Sequence, residues 1–281
     1  MTGPATGPGT EPGRHSNLFV RIAAALVLVP IAIVAAFAGG WSWLALSCLT
    51  AVGLFVEWQA LVGATSRPVL AGGLVALVAA GAALGLHRPG AAVLCILAGV
   101  LAVPMVADSR NRLWVSLGLI YAGAALVSSV LLRFDRNFGF EALLFVFTVV
   151  WTTDILGYFG GRGIGGPKLW VRISPKKTWA GAIAGVAGSL TLAALFAWLG
   201  QRAILPLVLL AAALSILSQL GDLFESGVKR HFNVKDSSHL IPGHGGLLDR
   251  LDGFVAVIVA AALIGAIRSG TDAAGHGLLV W

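Results

Sequence analysis

The sequence predicts an all-α fold, a polytopic integral membrane bundle of about nine transmembrane helices. Three observations carry this expectation. Hydrophobic residues make up 58% of the 281 positions and charged residues 11%, whereas an ordinary soluble domain is about one quarter charged. The mean hydropathy is +0.91, which leaves too little polar surface to cover a soluble globule. The apolar runs are continuous and do not alternate, which argues against a β-barrel.

The elements follow in order. Residues 1–17 are rich in Gly, Pro and Thr and read as a disordered cytoplasmic tail. The block at 18–38 lacks a small-residue cleavage pattern and is followed by further spans, so it is expected to be a retained span. The remaining spans are expected at 41–61, 69–86, 91–107, 113–132, 140–160, 179–199, 203–221 and 252–268. Gly39-Gly40, Arg67-Pro68, Arg88-Pro89-Gly90, Asp108 to Arg112 and Arg133 to Asn137 separate the early ones. Residues 18–137 then form an N-terminal membrane-helix region and 138–281 a C-terminal catalytic region. Gly181, Gly185 and Gly188 suit close helix packing in the seventh span.

The formal net charge is +7, but no basic run with interleaved aromatics accompanies it, so no nucleic-acid partner is expected. The basic residues read as orientation signals and ligand contacts. With nine spans and the N-terminus in the cytoplasm, 14 Lys and Arg fall on the cytoplasmic side and 5 on the other. That split orients the N-terminus and the polar loops of the second half, where an active site is expected, toward the cytoplasm, and a bacterial-type inner membrane is the expected location. Arg133 and Arg136 on the far side read as snorkelling residues. Cys48 and Cys95 lie inside apolar runs and suggest neither a disulfide framework nor a thiolate metal site.

The second half carries the chemistry. All five lysines lie between 168 and 235, and acids stand within or beside apolar runs. Intramembrane acids are costly and mark functional sites by default. Asp222 and Glu225 are three residues apart, so they share a side of a helix end, with Lys229 one turn beyond Glu225. Asp249 and Asp252 repeat that spacing at the start of the last span. Two such pairs on helices joined by a loop can meet across a bundle, where clustered carboxylates repel unless a cation or proton intervenes. Hard oxygen ligands beside phosphates favour magnesium, and the histidines lack the tight ligand spacing of a zinc site. The turn Pro242-Gly243-His244-Gly245-Gly246 leaves backbone amides accessible to a phosphate.

These residues compose a longer pattern. Ser226, Val228, Lys229, Arg230, Lys235, Asp236, His244, Gly245, Gly246, Asp249, Arg250, Leu251 and Asp252 resemble the signature of the phosphatidate cytidylyltransferases, or CDP-diacylglycerol synthases. Two upstream elements are also similar to that family: Asp154 with Tyr158, Phe159, Gly161 and Arg162, and the stretch Ser174 to Gly181. The resemblance covers about 154–253; the first half resembles the family only as a run of spans. Ala180 stands where the family usually has Glu, and Ser238 and Gly253 also depart from the common residues at their positions. The Ala180 departure argues against an indispensable base there.

The resemblance implies a homodimeric membrane enzyme that joins CTP and phosphatidic acid to give CDP-diacylglycerol and pyrophosphate. It implies magnesium on the Gly-Asp-Leu and Asp-Arg-x-Asp acids, accompanied by potassium. The catalytic candidates are Asp222, Lys229, Arg230, Asp249 and Asp252. Asp222 and Asp249 are the first candidates for metal, with Glu225 and Asp252 beside them. The substrate- and phosphate-binding candidates are Asp154, Arg162, Lys168, Ser174, Lys176, Lys177, Lys235, Asp236, His244, Gly245, Gly246 and Arg250.

The chemistry also stands on its own. A phosphate monoester has a second pKa of about 6 and is already mostly ionised near neutral pH, so its oxygen can attack the α-phosphorus of CTP without a strong protein base. Alignment, charge neutralisation and help for the leaving pyrophosphate remain for the protein to supply. Two other classes share part of the pattern. A CTP-using lipid kinase would release CDP instead of pyrophosphate. A cation-coupled transporter would spread its acids over mid-span sites and inverted repeats, whereas here they cluster near one face.

Overall fold

The computed structural model describes residues 14–238 and 245–281, with the backbone alone for 14–25. Nine helices follow one another: α1 (Arg14–Ala38), α2 (Gly40–Leu61), α3 (Arg67–Gly85), α4 (Pro89–Ala102), α5 (Arg112–Phe134), α6 (Gly139–Gly163), α7 (Trp179–Leu199), α8 (Ile204–His231) and α9 (Leu248–Ser269). A short α10 (Ala274–Leu279) closes the chain. Among the described residues, eight helices are long and apolar enough to cross a membrane, and α1 adds an apolar stretch at Leu26–Ala38. The protein is thus a multi-pass helical bundle, as its composition predicts.

Short connections make successive helices run in opposite directions. The bundle therefore has one end where α2, α6 and α8 finish and α7 and α9 begin, which is the end that carries the polar residues.

Two features at that end differ from expectation. The run expected to stop at 221 continues as helix to His231, and α9 starts at Leu248 instead of 252. Hydropathy falls at Asp222, but helical periodicity does not. Leu223 and Val228 stay buried, while Lys229, Arg230 and His231 occupy the last turn, where cations meet the negative end of the helix dipole. The second feature is an antiparallel hairpin of β1 (Lys168–Trp170) and β2 (Ser174–Thr178), with Lys168 opposite Thr178 and Trp170 opposite Ser174. Gly165 and Gly166 have φ of 72° and 90° and turn the chain from α6 into it.

α6 and α7 approach backbone to backbone. A Cβ on Gly181 would lie 2.6 Å from the Gly157 carbonyl oxygen, and one on Gly185 would lie 2.7 Å from that of Thr153. Without a hydrophobic driving force between helices in lipid, such close contact supplies the association energy. Deeper in the bundle, Thr153 Oγ1 lies 2.9 Å from Ser189 Oγ and 2.7 Å from Ser215 Oγ, so α6, α7 and α8 share one hydroxyl cluster. The core beside it is filled by Leu54, Phe55 and Trp58 of α2, Leu119 and Leu126 of α5, Phe145 of α6 and Leu214 of α8.

At the opposite end, Arg133 is engaged where snorkelling was expected. Its guanidinium donates to the Phe37 carbonyl at 3.0 Å and so satisfies an orphan acceptor at the C-terminus of α1. Arg136 is exposed. Asp135 accepts from the amides of Asn137 and Phe138, each at 3.0 Å, and from that of His276 at 2.7 Å, which ties α10 to the α5–α6 turn.

Candidate active site

At the polar end, α6, α7, α8, α9 and the hairpin line one cavity of about 820 Å³. α6 supplies Asp154 and Arg162, and the hairpin supplies Lys168, Lys176 and Lys177. α8 supplies Asp222, and α9 supplies Asp249, Arg250 and Asp252. Four carboxylates thus share the wall with five permanent cations. The hairpin places its strand lysines over the cavity because Thr178 ends β2 and caps α7. The Thr178 Oγ1 accepts from the Gly181 amide at 3.1 Å, and the chain turns directly from strand to helix.

The charges are organised in two groups. Asp222 pairs with Lys177 across the cavity, and its Oδ1 accepts from Ser226 Oγ at 3.3 Å. Arg162 donates to the Tyr158 hydroxyl at 2.9 Å, one turn back on α6. Asp252 lines the cavity one turn past Asp249, its Oδ1 accepting from the Gly253 amide at 2.7 Å.

The second group runs from Asp249 on the wall back into the bundle. Lys229 Nζ sits 2.7 Å from Glu225 Oε2 and 2.6 Å from Asp249 Oδ1, so one ammonium joins α8 to α9. Asp249 also accepts from the Ser237 amide at 3.1 Å, Ser237 Oγ at 3.1 Å and the Gly246 amide at 2.9 Å. Both glycines of the His-Gly-Gly run have geometric reasons. Gly245 has φ of 83°, and a Cβ there would lie 2.8 Å from Asp249 Oδ2; a Cβ on Gly246 would lie 2.5 Å from Glu57 Oε2.

The predicted residues therefore divide. Asp154, Arg162, Lys168, Lys176, Lys177, Asp222, Asp249, Arg250 and Asp252 converge on the cavity. Glu225, Lys229, Gly245 and Gly246 support it from behind. Arg230 turns away and donates to the Val234 carbonyl at 3.0 Å, closing its own helix end. Lys235 and Asp236 are exposed, and Ser174 is half-buried in the hairpin, off the cavity wall. His244 lies outside the described residues. Ala180 is in the first turn of α7 but does not line the cavity.

One residue was missed in the sequence. Glu57, in α2, is buried, and its carboxylate accepts from Ser238 Oγ and the amides of Leu247 and Leu248. Its signal was available, since it is an acid within an apolar run.

For a metal ion, the donor set is partial. Among the described residues, no three His, Cys, Asp or Glu side chains are grouped to hold one. Both Asp249 oxygens are engaged by protein donors, and so are both of Asp222, through Ser226 and the cavity lysine Lys177, while Asp252 has one oxygen on the Gly253 amide. Two carboxylates fit magnesium, which usually keeps waters and takes one or two carboxylates plus substrate phosphates.

Comparison with known proteins shows the family. Residues 19–267 match the model of the cytidylyltransferase family. The chain is 44% identical over 264 residues to a phosphatidate cytidylyltransferase of Brucella abortus (strain 2308), covering 92% of this chain and 96% of that protein. It is 40% identical over 147 residues to the phosphatidate cytidylyltransferase of Bacillus subtilis (strain 168), covering 52% and 55%. With that of Haemophilus influenzae (strain ATCC 51907) it shares 45% identity over 130 residues, covering 44% and 45%.

Proposed function

The chain belongs to the cytidylyltransferase family, and from that premise we propose that it makes CDP-diacylglycerol from CTP and phosphatidic acid. A phosphate oxygen of the lipid forms a bond to the α-phosphorus of CTP, the bond from that phosphorus to the bridging oxygen breaks, and pyrophosphate leaves. The observation that carries this reading is the cavity itself, where hairpin and helix cations stand opposite carboxylates at one end of a membrane bundle. Lys168, Lys176, Lys177, Arg162 and Arg250 supply positive charge for a triphosphate and a lipid phosphate.

Lys177 is paired with Asp222 before any ligand arrives. A bound phosphate competes for that ammonium and frees the carboxylate. Magnesium, when bound, would neutralise phosphate charge and aid the leaving group, with Asp252, and Asp222 once phosphate draws Lys177 away, the carboxylates to hold it and Asp249 fixed beside them. No general base is required, because the attacking oxygen is already anionic. The membrane setting follows from the lipid: its acyl chains stay in hydrocarbon while its phosphate reaches the helix ends. The positive-inside split supports a cytoplasmic position for this end in the inner membrane. We read the assembly as a homodimer on the family resemblance.

The test is incubation of the purified protein with CTP, phosphatidic acid and magnesium, measuring lipid product and pyrophosphate together. Equal formation of CDP-diacylglycerol and pyrophosphate is expected. Release of CDP with a phosphorylated lipid would identify a lipid kinase instead.

A further inference from the structure

Glu57 stands far from the signature in sequence yet holds it together. The residue is 4% exposed, and its carboxylate accepts four hydrogen bonds from two separate stretches. Ser237 Oγ at 3.1 Å, its one proton shared with Asp249, and Ser238 Oγ at 2.7 Å come from the stretch after α8. The amides of Leu247 and Leu248, each at 2.8 Å, come from the start of α9. These amides are among the donors that a helix N-terminus leaves without intrahelical partners, and a negative charge there meets the positive end of the dipole. α9 has no side-chain cap from its own first residue. Glu57 fills that role from another helix.

Capping alone does not account for this arrangement. A local Ser, Thr, Asp or Asn would cap α9 without burying a charge. What the carboxylate adds is a fixed relation between Ser237 and the first turn of α9. Ser237 holds Asp249 through both its amide and its hydroxyl, and Asp249 holds Lys229. Glu57 itself sits on a rigid support. The neighbouring Trp58 is 1% exposed and donates its indole N–H to the Trp114 carbonyl at 2.9 Å.

We propose that Glu57 is a positioning residue, whose carboxylate sets Ser237 and the start of α9 in one frame and thereby aims Asp249 at the cavity, with Lys229 braced behind it. The proposal rests on the cytidylyltransferase reading above. It assigns the first half of the chain a part in the chemistry. It also accounts for the glycine at 246, whose missing side chain leaves room for the carboxylate.

The experiment compares the full-length wild type with Glu57→Gln, Glu57→Asp and Ser238→Ala, by steady-state kinetics in CTP, thermal unfolding in detergent, and hydrogen exchange over 245–252. Glu57→Gln keeps the shape, loses the charge and turns a donor toward donors. It should lower kcat about tenfold or more while the KM for CTP stays within about threefold. Glu57→Asp should recover part of kcat, and the Leu247 and Leu248 amides should exchange faster in the Gln variant. Three outcomes would overturn the proposal: more than half of wild-type kcat in Glu57→Gln, a loss wholly in KM, or no gain from Asp over Gln. Should Glu57→Gln not fold, Ser238→Ala carries the test, with kcat reduced about two- to fivefold expected at unchanged KM and a wild-type kcat overturning it. A wild type that makes no CDP-diacylglycerol would refute the functional reading, while the exchange comparison still tests whether Glu57 orders α9.

Discussion

Lys229 stands between Glu225 and Asp249, at 11% side-chain exposure against 2% and 9%. Deleting one partner of such a buried set costs about 3–5 kcal/mol, because the remaining charges are left uncompensated. Lys229→Met should therefore lower thermal stability strongly, and adding Glu225→Gln should restore part of it. A single variant as stable as the wild type would show that the carboxylates do not depend on the ammonium. Asp222→Asn and Asp249→Asn preserve shape and remove charge, and each should lose most turnover while remaining folded. If the two act on one ion, the double variant should fall short of the summed losses; turnover near the wild-type rate in either single variant at limiting magnesium would remove that residue from the metal's surroundings. Ala180 lies off the cavity wall, so Ala180→Glu should change kcat by no more than about threefold between about pH 6 and 9. A hundredfold gain with a new basic-limb pKa would mean that a base matters after all. At this scale the second half of the chain was legible because its charges interrupt apolar runs at helical spacing. Glu57 was not read as part of the site because it stands alone in its span, and only tertiary contact reveals what it meets.

Of the nine expected spans, eight appear among the described residues as helices long and apolar enough to cross a membrane, α2 to α9, and α1 stands at the place of the first with a shorter apolar stretch. A long apolar block bounded by Gly, Pro or charge admits little but a helix in lipid, because every backbone polar group must be satisfied internally. The hairpin was hidden for the opposite reason. Strands of three and five residues show too little alternation to detect, and Pro175 within one argues against a strand. The far end of α8 lies past its apolar run, where hydropathy gives no signal because it detects immersion and not helicity, and only the helical spacing of Asp222, Glu225 and Lys229 pointed to it. The α6–α7 contact provides the test at this scale. Gly185→Val would push a side chain against the Thr153 backbone, force the helices apart and displace Asp154 from the lysines on β2. It should reduce both thermal stability and turnover, whereas Thr178→Ala, which removes only the cap, should cost about 1 kcal/mol. A Gly185→Val protein with wild-type melting would mean that the two backbones do not meet this closely.

Across the whole molecule, the alternation of helix directions assembles distant segments at one end, so residues 162–178 and 226–250 should face the same compartment. Single-cysteine labelling in right-side-out and inverted vesicles tests this. Both segments should react only from the cytoplasmic side, and exclusive labelling from outside would reverse the orientation. The fold class followed from composition, but the convergence of α2 on the signature did not, because no local pattern states which of nine helices are neighbours. The cavity lies at helix termini, and helices that form it expose Ile155, Leu156, Phe159 and Ile183. A lipid whose phosphate is used there need never leave its own leaflet, so the bilayer serves as the solvent for one reactant and water for the other. Turnover should then follow the mole fraction of phosphatidic acid in the surface, and diluting it with neutral detergent at fixed bulk concentration should slow the enzyme. On this geometry, the crowding of acidic lipid in the plane of the membrane meters the reaction.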